Sequence, residues 1–550
     1  MNRAAIRLEH LPADVLGLSP QASAALAGRP RTSALPGMVL PADVAGFPTP
    51  ADRLEDEDRR ALARLLEREL RRFSPHDFVL EAARALARPG AALVVTGQQP
   101  AFLGGPLYDV YKAVHVIRLA RALSEAWRVP VLPAFWNHAD DHDIAEVHHL
   151  WLQNANLDLF KLSLASMSSG RVPFSEIEFD EDRHRLGAVR EVLRQSLWDG
   201  ERRDAALALF VPRHGETFAS AFTRILLSLF GHHGLLVIES GWLRGSISRV
   251  LAEVVTLDLP LAWAEGAERL RAAGQEPAIE AETAALLFRH AGGERRALRL
   301  APGGFRFDGE PGTRTAAELA AELLQEPAAW SPAALLRPIA QDRVLPVAAY
   351  VGGWGELAYH AQLPPLRERA GMAATPFVPR LSATLVDPEV RVALEKLEIG
   401  VADVLRARGR LGESEGADEA SPVLERLREV GRGAARELEE LREDLARLDR
   451  GLAAQLRRLG EQIRDLVDRL AGKAERVHAN ACGRGRRHFR RLNHGLFPRG
   501  EPQERVRGLV EFAARFGTGW LDELIEEIEP LPTEHVVIHL EDPRKTGAGE

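Results

Sequence analysis

The chain has 550 residues, of which 45% are hydrophobic and 27% are charged, so it can bury a large core and is expected to divide into two to four domains. Its formal net charge of −8 argues against a general nucleic-acid-binding protein. The single cysteine, Cys482, excludes an intramolecular disulfide framework, and neither a signal peptide nor an apolar stretch of about eighteen residues occurs. We therefore expect a cytoplasmic protein that does not bind membranes.

Residues 1–88 are predicted to form an N-terminal helical arm. Its clearest helix covers Asp52–Phe73, which begins with acidic residues and ends with basic ones, as the helix dipole favours. Strand and helix patterns alternate from residue 89 onward. We expect a core domain over residues 89–380, interrupted by inserted subdomains at about 155–230 and 255–330.

The core domain begins with a strand, a helix and a second strand. Ala91–Val95 is the first apolar run, a helix is expected from about Pro106 to Trp127, and Val129–Phe135 follows as the next buried strand. This β-α-β order predicts an α/β fold with a doubly wound parallel sheet. Continuous apolar runs at Gly234–Ser240 and Val344–Gly353 predict further central strands.

A glycine-rich turn follows the first strand in the run TGQQPAFLGGPLYDVYK, Thr96 to Lys112. Gly97, Gly104 and Gly105 let a ligand approach the main chain, and the start of the following helix favours an anion such as phosphate or carboxylate. The spacing fits neither the dinucleotide fingerprint nor the P-loop, and an ordinary glycine-rich connection is the alternative. The other candidate ligands in this run are Thr96, Gln98, Gln99, Tyr108 and Lys112.

Tyrosine is scarce in the sequence and occurs in two places. Tyr108 and Tyr111 lie in the glycine-rich run, and Tyr350 and Tyr359 lie in a later one, which accounts for all four tyrosines. This distribution suggests that the two segments need specific hydroxyl groups. Half-buried packing is the alternative for each tyrosine.

Polar residues also follow the second strand, in the run WNHADDHD. Because ligands of open α/β sheets bind at the carboxyl ends of strands, this cluster is expected near the glycine-rich turn. A metal site is not favoured, since the spacing matches no H-E-x-x-H motif. We favour an acid/base patch in which Asp141, His142, Asp143 and Lys112 are catalytic, with helix caps as the alternative for the aspartates. Asn137 and Asp140 are the substrate-binding candidates here.

A third segment, Leu336 to His360, repeats the same logic with an apolar strand, a glycine turn and a polar helix start. Two such edges facing one another would frame a cleft. A structural turn is the alternative, with Arg337, Gln341 and Asp342 paired to neighbours. The binding candidates in this segment are Gln341, Asp342, Tyr350, Gly353, Glu356 and Tyr359.

Residues 381–480 are predicted to form a helical coiled-coil domain. Leucine or isoleucine recurs at steps of three and four from Leu438 to Leu470, as in a heptad seam on one long helix. A shorter helix at Asp387–Ala407 could pair with this seam within the chain, but we favour a homodimer. Residues 481–550 are expected to return to the core, with a late strand in EHVVIHLED.

These motifs resemble the BshC family, the cysteine-adding ligases of bacillithiol biosynthesis. The resemblance is carried by TGQQP with GGPLY and YK at Thr96–Lys112, by FW and DHD at Phe135–Asp143, by the segment Leu336–Tyr359, and by LFP, G and QER at Leu496–Arg505. It implies a Rossmann-like core similar to class I synthetases and nucleotidyltransferases, connecting-peptide insertions and a dimerising coiled coil. The implied substrates are L-cysteine and glucosaminyl-malate, joined through an amide.

Amide formation at neutral pH needs an activated carboxylate. We therefore expect ATP or another nucleotide as a co-substrate, with Mg as a candidate ion. Two other functions stay open at this point. One is a nucleotidyltransferase or other ATP-using transferase that acts on a different sugar-linked or acyl substrate, since a fold does not decide the chemistry. The other is a scaffold that does not catalyse a reaction.

Overall fold

The structure is a computed structural model that describes residues 6–18, 22, 35–49, 54–165, 170–280, 284–412, 422–441, 444, 445, 447, 450–481 and 484–541. The chain divides into two compact units, Met1–Pro388 with Glu501–Glu550, and Glu389–Gly500. The return to the first unit thus comes at residue 501 and not at 481, because helix Arg484–Leu496 packs on helix Val401–Arg406 in the second unit. Cys482 lies outside the described residues.

A five-stranded parallel sheet forms the centre of the first unit. Its strands are apolar on both faces because helices cover both, and the predicted α/β fold and its central strands are confirmed. In order across the sheet, the strands are Phe377–Pro379, Val347–Gly352, Ala92–Gln98, Val131–Asn137 and Leu236–Glu239.

The strand order places a switch point between Ala92–Gln98 and Val347–Gly352. From the first strand the chain builds the sheet in one direction, and it then returns to add Val347–Gly352 on the other side, where Tyr350 pairs with Val95. Ligands of open α/β sheets bind beside such a point, at the carboxyl ends of the strands. The two glycine turns that the sequence singled out therefore meet at one edge of the sheet.

The helix Leu107–Trp127 shows how the sequence covers this sheet. Pro106 precedes its first turn, where a missing N–H costs nothing, and Arg128 ends it in the left-handed conformation. Its apolar side chains are almost fully buried against neighbouring strands. Among the described residues, the α-helices with defined bounds that lie wholly in the first unit are Asp56–Arg71, Asp77–Ala85, Leu107–Trp127, Ile144–Val147, Leu186–Ser196, Glu201–Phe210, Phe218–Phe230, Arg244–Val254, Leu259–Ala272, Ala316–Gln325, Arg337–Val344, Trp354–His360, Pro364–Arg369, Gln503–Val506, Leu509–Phe516 and Trp520–Glu527.

Two segments are inserted between the central strands. The first, before Leu236–Glu239, contains an antiparallel hairpin of His149–Gln153 and Leu159–Ser163. The second, after Leu236–Glu239, contains a four-stranded antiparallel sheet that supplies part of the candidate site. Its strands, in order across the sheet, are Trp330–Pro332, Leu287–Ala291, Glu294–Ala301 and Gly304–Phe307.

The N-terminal arm differs from the all-helical prediction. Ile6–Leu11 forms a strand that pairs antiparallel with His535–Leu540, and His535–Leu540 pairs in parallel with Ser382–Val386. The physical reason is a period of two in the sequence, since Ile6 and Leu8 pack against the core on one face of the strand. The predicted strand near the C-terminus is confirmed as His535–Leu540.

The coiled coil is a hairpin of two helices, and the prediction of one continuous helix was wrong. Pro422–Glu440 packs on Arg450–Ala481. Gly431 lies so close to Val467 that a Cβ would come within 2.7 Å, whereas Gly460 faces Leu438, so the helices run antiparallel. The heptad spacing continues on both sides of the reversal, which hides the reversal in the sequence.

The predicted helix at Asp387–Ala407 is also divided. It consists of Pro388–Leu397 and Val401–Arg406, and Glu398 between them has a φ of 54°. Pro422–Glu440 takes the partner role that the prediction gave to this segment. Of the helices that the structure describes, none combines the length and apolar character that crossing a bilayer requires.

Candidate active site

A cleft of about 500 Å³ opens at the carboxyl edge of the sheet, beside the switch point. This volume suits a small-molecule site. Its polar lining comes mainly from the strand ends and the helix starts that follow them: Gln98, Gln99, His138, Asp140, Asp141, Ser240, Arg337, Glu356 and Tyr359, together with Arg295. Its apolar lining comes largely from the second inserted segment: Ile279, Ala284, Ala285, Phe288, Pro332, Ala333, Ala334 and Leu335.

Lys112 joins the two glycine turns at this edge. Its side chain is only 2% exposed, and its ammonium group lies 2.7 Å from Gly97 O, 2.9 Å from Gln98 Oε1 and 2.6 Å from Glu356 Oε2. An ammonium group has three N–H donors, and all three are used here. The geometry therefore makes Lys112 a positioning residue, in contrast to the predicted direct role with substrate.

Glu356 is held as an anion in the cleft wall. Besides Lys112, Tyr350 Oη donates to its Oε1 at 2.6 Å and the Gly353 N–H donates to its Oε2 at 2.8 Å. Burial alone would raise the pKa of Glu356, but the charges of Lys112 and Arg337 and these hydrogen bonds outweigh it and lower the pKa to about 2. Glu356 is thus ionised at every physiological pH.

Thr96, Gly104, Gly105 and Tyr108, which were also predicted from the first glycine turn, support the fold and do not line the cleft. Thr96 is fully buried and donates to Val351 O at 2.7 Å, which ties the two switch-point strands together. Gly104 and Gly105 have φ of 81° and 76° and are not among the residues that line the cleft. Tyr108 accepts a hydrogen bond from Gln98 Nε2 at 3.1 Å and so helps to orient Gln98, which does line it.

Of the predicted catalytic residues, Asp141 lines the cleft, and three neighbouring groups donate hydrogen bonds to it. Its oxygens accept from Gln99 Nε2 at 2.8 Å, from the His142 N–H at 2.7 Å and from Arg295 Nη1 at 3.1 Å. Burial would raise the pKa of Asp141, but its contacts with His142, Arg295 and Gln99 outweigh burial and hold the pKa well below the usual aspartate range. Asp141 is therefore an anion at neutral pH, and a carboxylate with a lowered pKa is a weak general base.

His142 lies beside the cleft without lining it. Its Nδ1 is 2.8 Å from Arg295 Nη1 and 3.4 Å from Asp141 Oδ1. A guanidinium can only donate, so the shorter contact makes Nδ1 an acceptor and places the proton of neutral His142 on Nε2. In this arrangement His142 is a hydrogen-bond donor, whereas the sequence suggested a base.

The other polar residues after the second strand separate into three environments. Asp140 lines the cleft and accepts from Arg244 Nε at 2.6 Å. Asn137 is fully buried and donates to Ala219 O at 2.9 Å and to Thr223 Oγ1 at 3.0 Å, so it is structural. Asp143 is exposed, and its side chain does not cap the short helix that follows it.

Only some of the predicted residues of the third segment, Leu336 to His360, line the cleft. Asp342 accepts from Arg367 Nη2 at 2.6 Å and from Thr375 Oγ1 at 2.7 Å, and Gln341 accepts from Arg337. Both residues are buried behind the wall, as the alternative of pairing with neighbours predicted. Tyr359, which follows on the next helix, lines the cleft.

Four polar residues of the wall were absent from the predicted site: His138, Ser240, Arg295 and Arg337. His138 lies within the singled-out run, and Arg337 begins the third segment, so both had a local signal. Burial, with the charge of Arg337, lowers the pKa of His138 to about 3, which keeps it neutral. Arg295 comes from the inserted sheet, stacks 3.9 Å over the Phe288 ring, and had no local signal.

The described residues contain one group of three side chains with the spacing of metal ligands. It consists of His232, His233 and Asp522, none of which lines the cleft. Arg121 donates to His233 Nδ1 at 2.6 Å, so neutral His233 keeps its proton on Nε2, the atom that faces Asp522 at 2.7 Å. This proton occupies the position that a metal ion would need.

The sequence matches two family models, described as "Bacillithiol biosynthesis BshC, N-terminal Rossmann-like domain" over residues 43–381 and "Bacillithiol biosynthesis BshC, C-terminal coiled-coil domain" over residues 383–540. Among similar proteins named "Putative cysteine ligase BshC", that of Koribacter versatilis is 31% identical over 82% of this chain and 85% of its own. That of Thermus thermophilus is 32% identical over 80% and 86%. That of Geobacillus thermodenitrificans is 29% identical over 88% and 91%. The chain therefore belongs to the BshC family.

Proposed function

We propose that this protein is the ligase of bacillithiol biosynthesis that joins the carboxylate of L-cysteine to the amino group of glucosaminyl-malate. The observation that carries the proposal is the cleft at the switch point. The polar wall of this cleft comes mainly from the strand ends that carry the family's motifs. The similar proteins of Koribacter versatilis and Thermus thermophilus are named as putative cysteine ligases. An enzyme of the ligase class accounts for a small-molecule cleft lined by ionised groups of both signs.

The reaction needs an activated carboxylate, so ATP or another nucleotide is the expected co-substrate. A cysteine carboxylate oxygen attacks phosphorus and displaces pyrophosphate or ADP. The amine then attacks the carbonyl carbon and a C–N bond forms, while the C–O bond to the phosphate group breaks and AMP or inorganic phosphate leaves. The nitrogen releases one proton, which the leaving phosphate group or water accepts. Whether the intermediate is an acyl adenylate or an acyl phosphate depends on which phosphorus is attacked.

In this proposal Asp141 stabilises the attacking amine. Positive charge develops on the nitrogen as the C–N bond forms, and a permanently ionised carboxylate on the cleft wall favours that charge. Gln99 and Arg295 hold the carboxylate in place from two sides. The His142 Nε2–H is available as a donor beside it.

The carboxylates of the wall do not offer a magnesium site of their own. Asp140 is paired with Arg244, Asp141 with Arg295, and Glu356 with Lys112. Magnesium in nucleotide enzymes commonly binds one or two carboxylates together with phosphate oxygens. Since each of these carboxylates already has a cationic partner, the phosphate oxygens of the nucleotide would be the main ligands of a magnesium ion.

The test is product formation by the purified protein with L-cysteine and glucosaminyl-malate, with and without ATP, followed by mass spectrometry. We expect the mass of the amide only with a nucleotide. Asp141→Asn should lower turnover by about 100- to 1000-fold, in the range seen when one charge-stabilising group is removed. No amide with any nucleotide would contradict the proposal and favour a transferase acting on another acceptor.

We also propose that the protein forms a homodimer through the helical hairpin. Leu459, Leu466 and Leu470 are 46%, 57% and 54% exposed on helix Arg450–Ala481. Leu459 and Leu466 are one heptad apart and so lie on the same face of the helix. An apolar stripe of this kind on a hairpin whose other face is already packed favours a second copy of the chain.

A further inference from the structure

Arg337 is a cation of the cleft wall with only uncharged partners. It lines the cleft and is 7% exposed. Its Nη1 donates to Gln341 Oε1 at 2.9 Å, and its Nη2 donates to Tyr359 Oη at 2.5 Å. The guanidinium also lies 5.7 Å from the centre of the Tyr350 ring and 6.0 Å from that of Tyr359. Within the described part of the chain, no carboxylate comes within ion-pair distance of it.

The neighbouring basic residues are arranged differently. Lys112 contacts Glu356 at 2.6 Å, and Arg295 contacts Asp141 at 3.1 Å. Arg244 contacts Asp140 through its Nε at 2.6 Å. Each of these cations therefore has its counter-charge within the chain. Arg337 is buried as Lys112 and Arg295 are, but unlike them it has no carboxylate in direct contact.

The carboxylate of Glu356 acts on Arg337 only at a distance, and neutral acceptors and tyrosine rings compensate for a buried cation without a direct counter-charge only in part. A guanidinium has five N–H donors in a planar fork that matches carboxylate and phosphate groups. The side-chain hydrogen bonds to Gln341 and Tyr359, together with one to Tyr350, still leave donors of the fork for a ligand. Because Tyr359 accepts from Arg337, its own hydroxyl proton can also be donated.

We propose that Arg337 and Tyr359 form the anion-binding group of the cleft and take a carboxylate or phosphate group of a substrate. An anion in this position supplies a counter-charge in direct contact, whereas Glu356 acts on Arg337 only at a distance. Which anion it is rests on the proposed function: a carboxylate of L-cysteine, a carboxylate of the malate portion, or a phosphate of the nucleotide. The binding itself does not depend on turnover.

The experiment is calorimetric titration of the full-length protein with L-malate, L-cysteine and ADP as separate probes. The variants are Arg337→Gln, Arg337→Lys and Tyr359→Phe. The matched control is Arg343→Gln, which removes the same charge from the same helix at a side chain that is 43% exposed and paired with Glu253. Circular dichroism checks that each variant is folded.

We expect the Kd of at least one probe to rise about 10- to 100-fold in Arg337→Gln, because a charge-assisted pair is lost. Arg337→Lys should give a smaller rise, since it keeps the charge without the fork. Arg343→Gln should bind as the wild type does. The probe that responds identifies the source of the anion. If Arg337→Gln does not fold, Arg337→Lys carries the comparison.

Equal Kd values in the wild type and the Arg337 variants for every probe would overturn the inference. Failure of all three probes to bind the wild type would overturn it as well. Because no product is measured, these results are distinct from a failure of the proposed ligase reaction. A protein that forms no amide can still show binding that depends on Arg337.

Discussion

The ammonium group of Lys112 and the carboxylate of Glu356 form an ion pair of 2.6 Å that bridges the switch point of the sheet. Lys112 lies on the helix that follows the first central strand, and Glu356 lies on the helix that follows Val347–Gly352. Their side chains are 2% and 17% exposed, so water screens the pair little. The pair sets the position of Gln98 and Glu356 in the cleft wall.

Lys112→Met should destabilise the protein by about 3 to 5 kcal/mol, because it leaves Glu356 as a buried charge without its partner. Glu356→Gln should have a similar effect for the same reason. The double variant should cost clearly less than the sum of the two, as expected for residues that interact directly. Urea denaturation of the four proteins measures this coupling, and strictly additive losses would contradict it.

Gly97 leaves no room for a side chain next to His138. A Cβ at this position would lie 2.8 Å from His138 Nε2 and 3.1 Å from the main-chain oxygen of Trp136. Gly97→Ala should therefore shift the cleft wall, cost about 1 to 3 kcal/mol and weaken substrate binding.

Gly245→Ala is the matched control for Gly97→Ala. A Cβ at Gly245 meets nothing within 4 Å, and the residue lies inside the helix Arg244–Val254, so it should be neutral or slightly stabilising. Thermal unfolding and substrate titration of both variants separate the outcomes. Similar behaviour of the two would show that the contact with His138 does not constrain the wall.

The pH dependence of stability should reveal the buried, neutral His138. Its pKa falls from about 6.5 in the unfolded chain to about 3 in the folded one, so only the unfolded chain takes up this proton between those values. The free energy of unfolding should therefore fall as the pH drops through this window. The contribution of this group reaches about 1.4 kcal/mol per pH unit.

His138→Gln should flatten that slope, because glutamine does not titrate. Urea denaturation at several pH values between about 4 and 7 measures the slope. Gly245→Ala, which changes no titratable group, is the control and should leave the slope unchanged. An unchanged slope in His138→Gln would mean that His138 is protonated in the folded protein.

The exposed leucine stripe of the helical hairpin should determine the oligomeric state. Replacing Leu459 and Leu466 together by glutamate should convert a dimer to a monomer, since two charges would be placed in an apolar interface on each chain. Light scattering after size-exclusion chromatography measures the mass. Leu324→Glu is the control, because that leucine is 57% exposed on a helix of the first unit. Unchanged mass in the double variant would place the interface elsewhere.

The sequence predicted the frame of the site well, because strand ends and glycine turns are local patterns. Gln98 and Asp141, from the first two strand ends, and Glu356, from the third segment, do line one cleft. Roles were harder to predict than positions. Lys112 was expected to bind a ligand, yet its three donors are used by groups that are distant in sequence, including Glu356. Local spacing carries no information about such partners.

The roles of Arg295 and Arg337 in the cleft wall could not be predicted from the sequence either. Arg295 reaches Asp141 only because the inserted sheet places it there, and arginine is common throughout this sequence, so its presence was no signal. Arg337 could be read as a residue that pairs with its neighbours, and its contact with Gln341 is such a pair. That it has no carboxylate in direct contact becomes visible only when the surrounding side chains are placed.

The three-stranded sheet of the first unit has a consequence for the order of folding. Its middle strand, His535–Leu540, lies between Ile6–Leu11 and Ser382–Val386, and Ile6 pairs with Leu540. The ribosome makes the edge strands long before the strand that holds them together. Ile6–Leu11 therefore cannot pair with His535–Leu540 until the intervening chain has been synthesised. A nascent chain that stalls before residue 535 keeps both edge strands without their partner, which exposes them to aggregation.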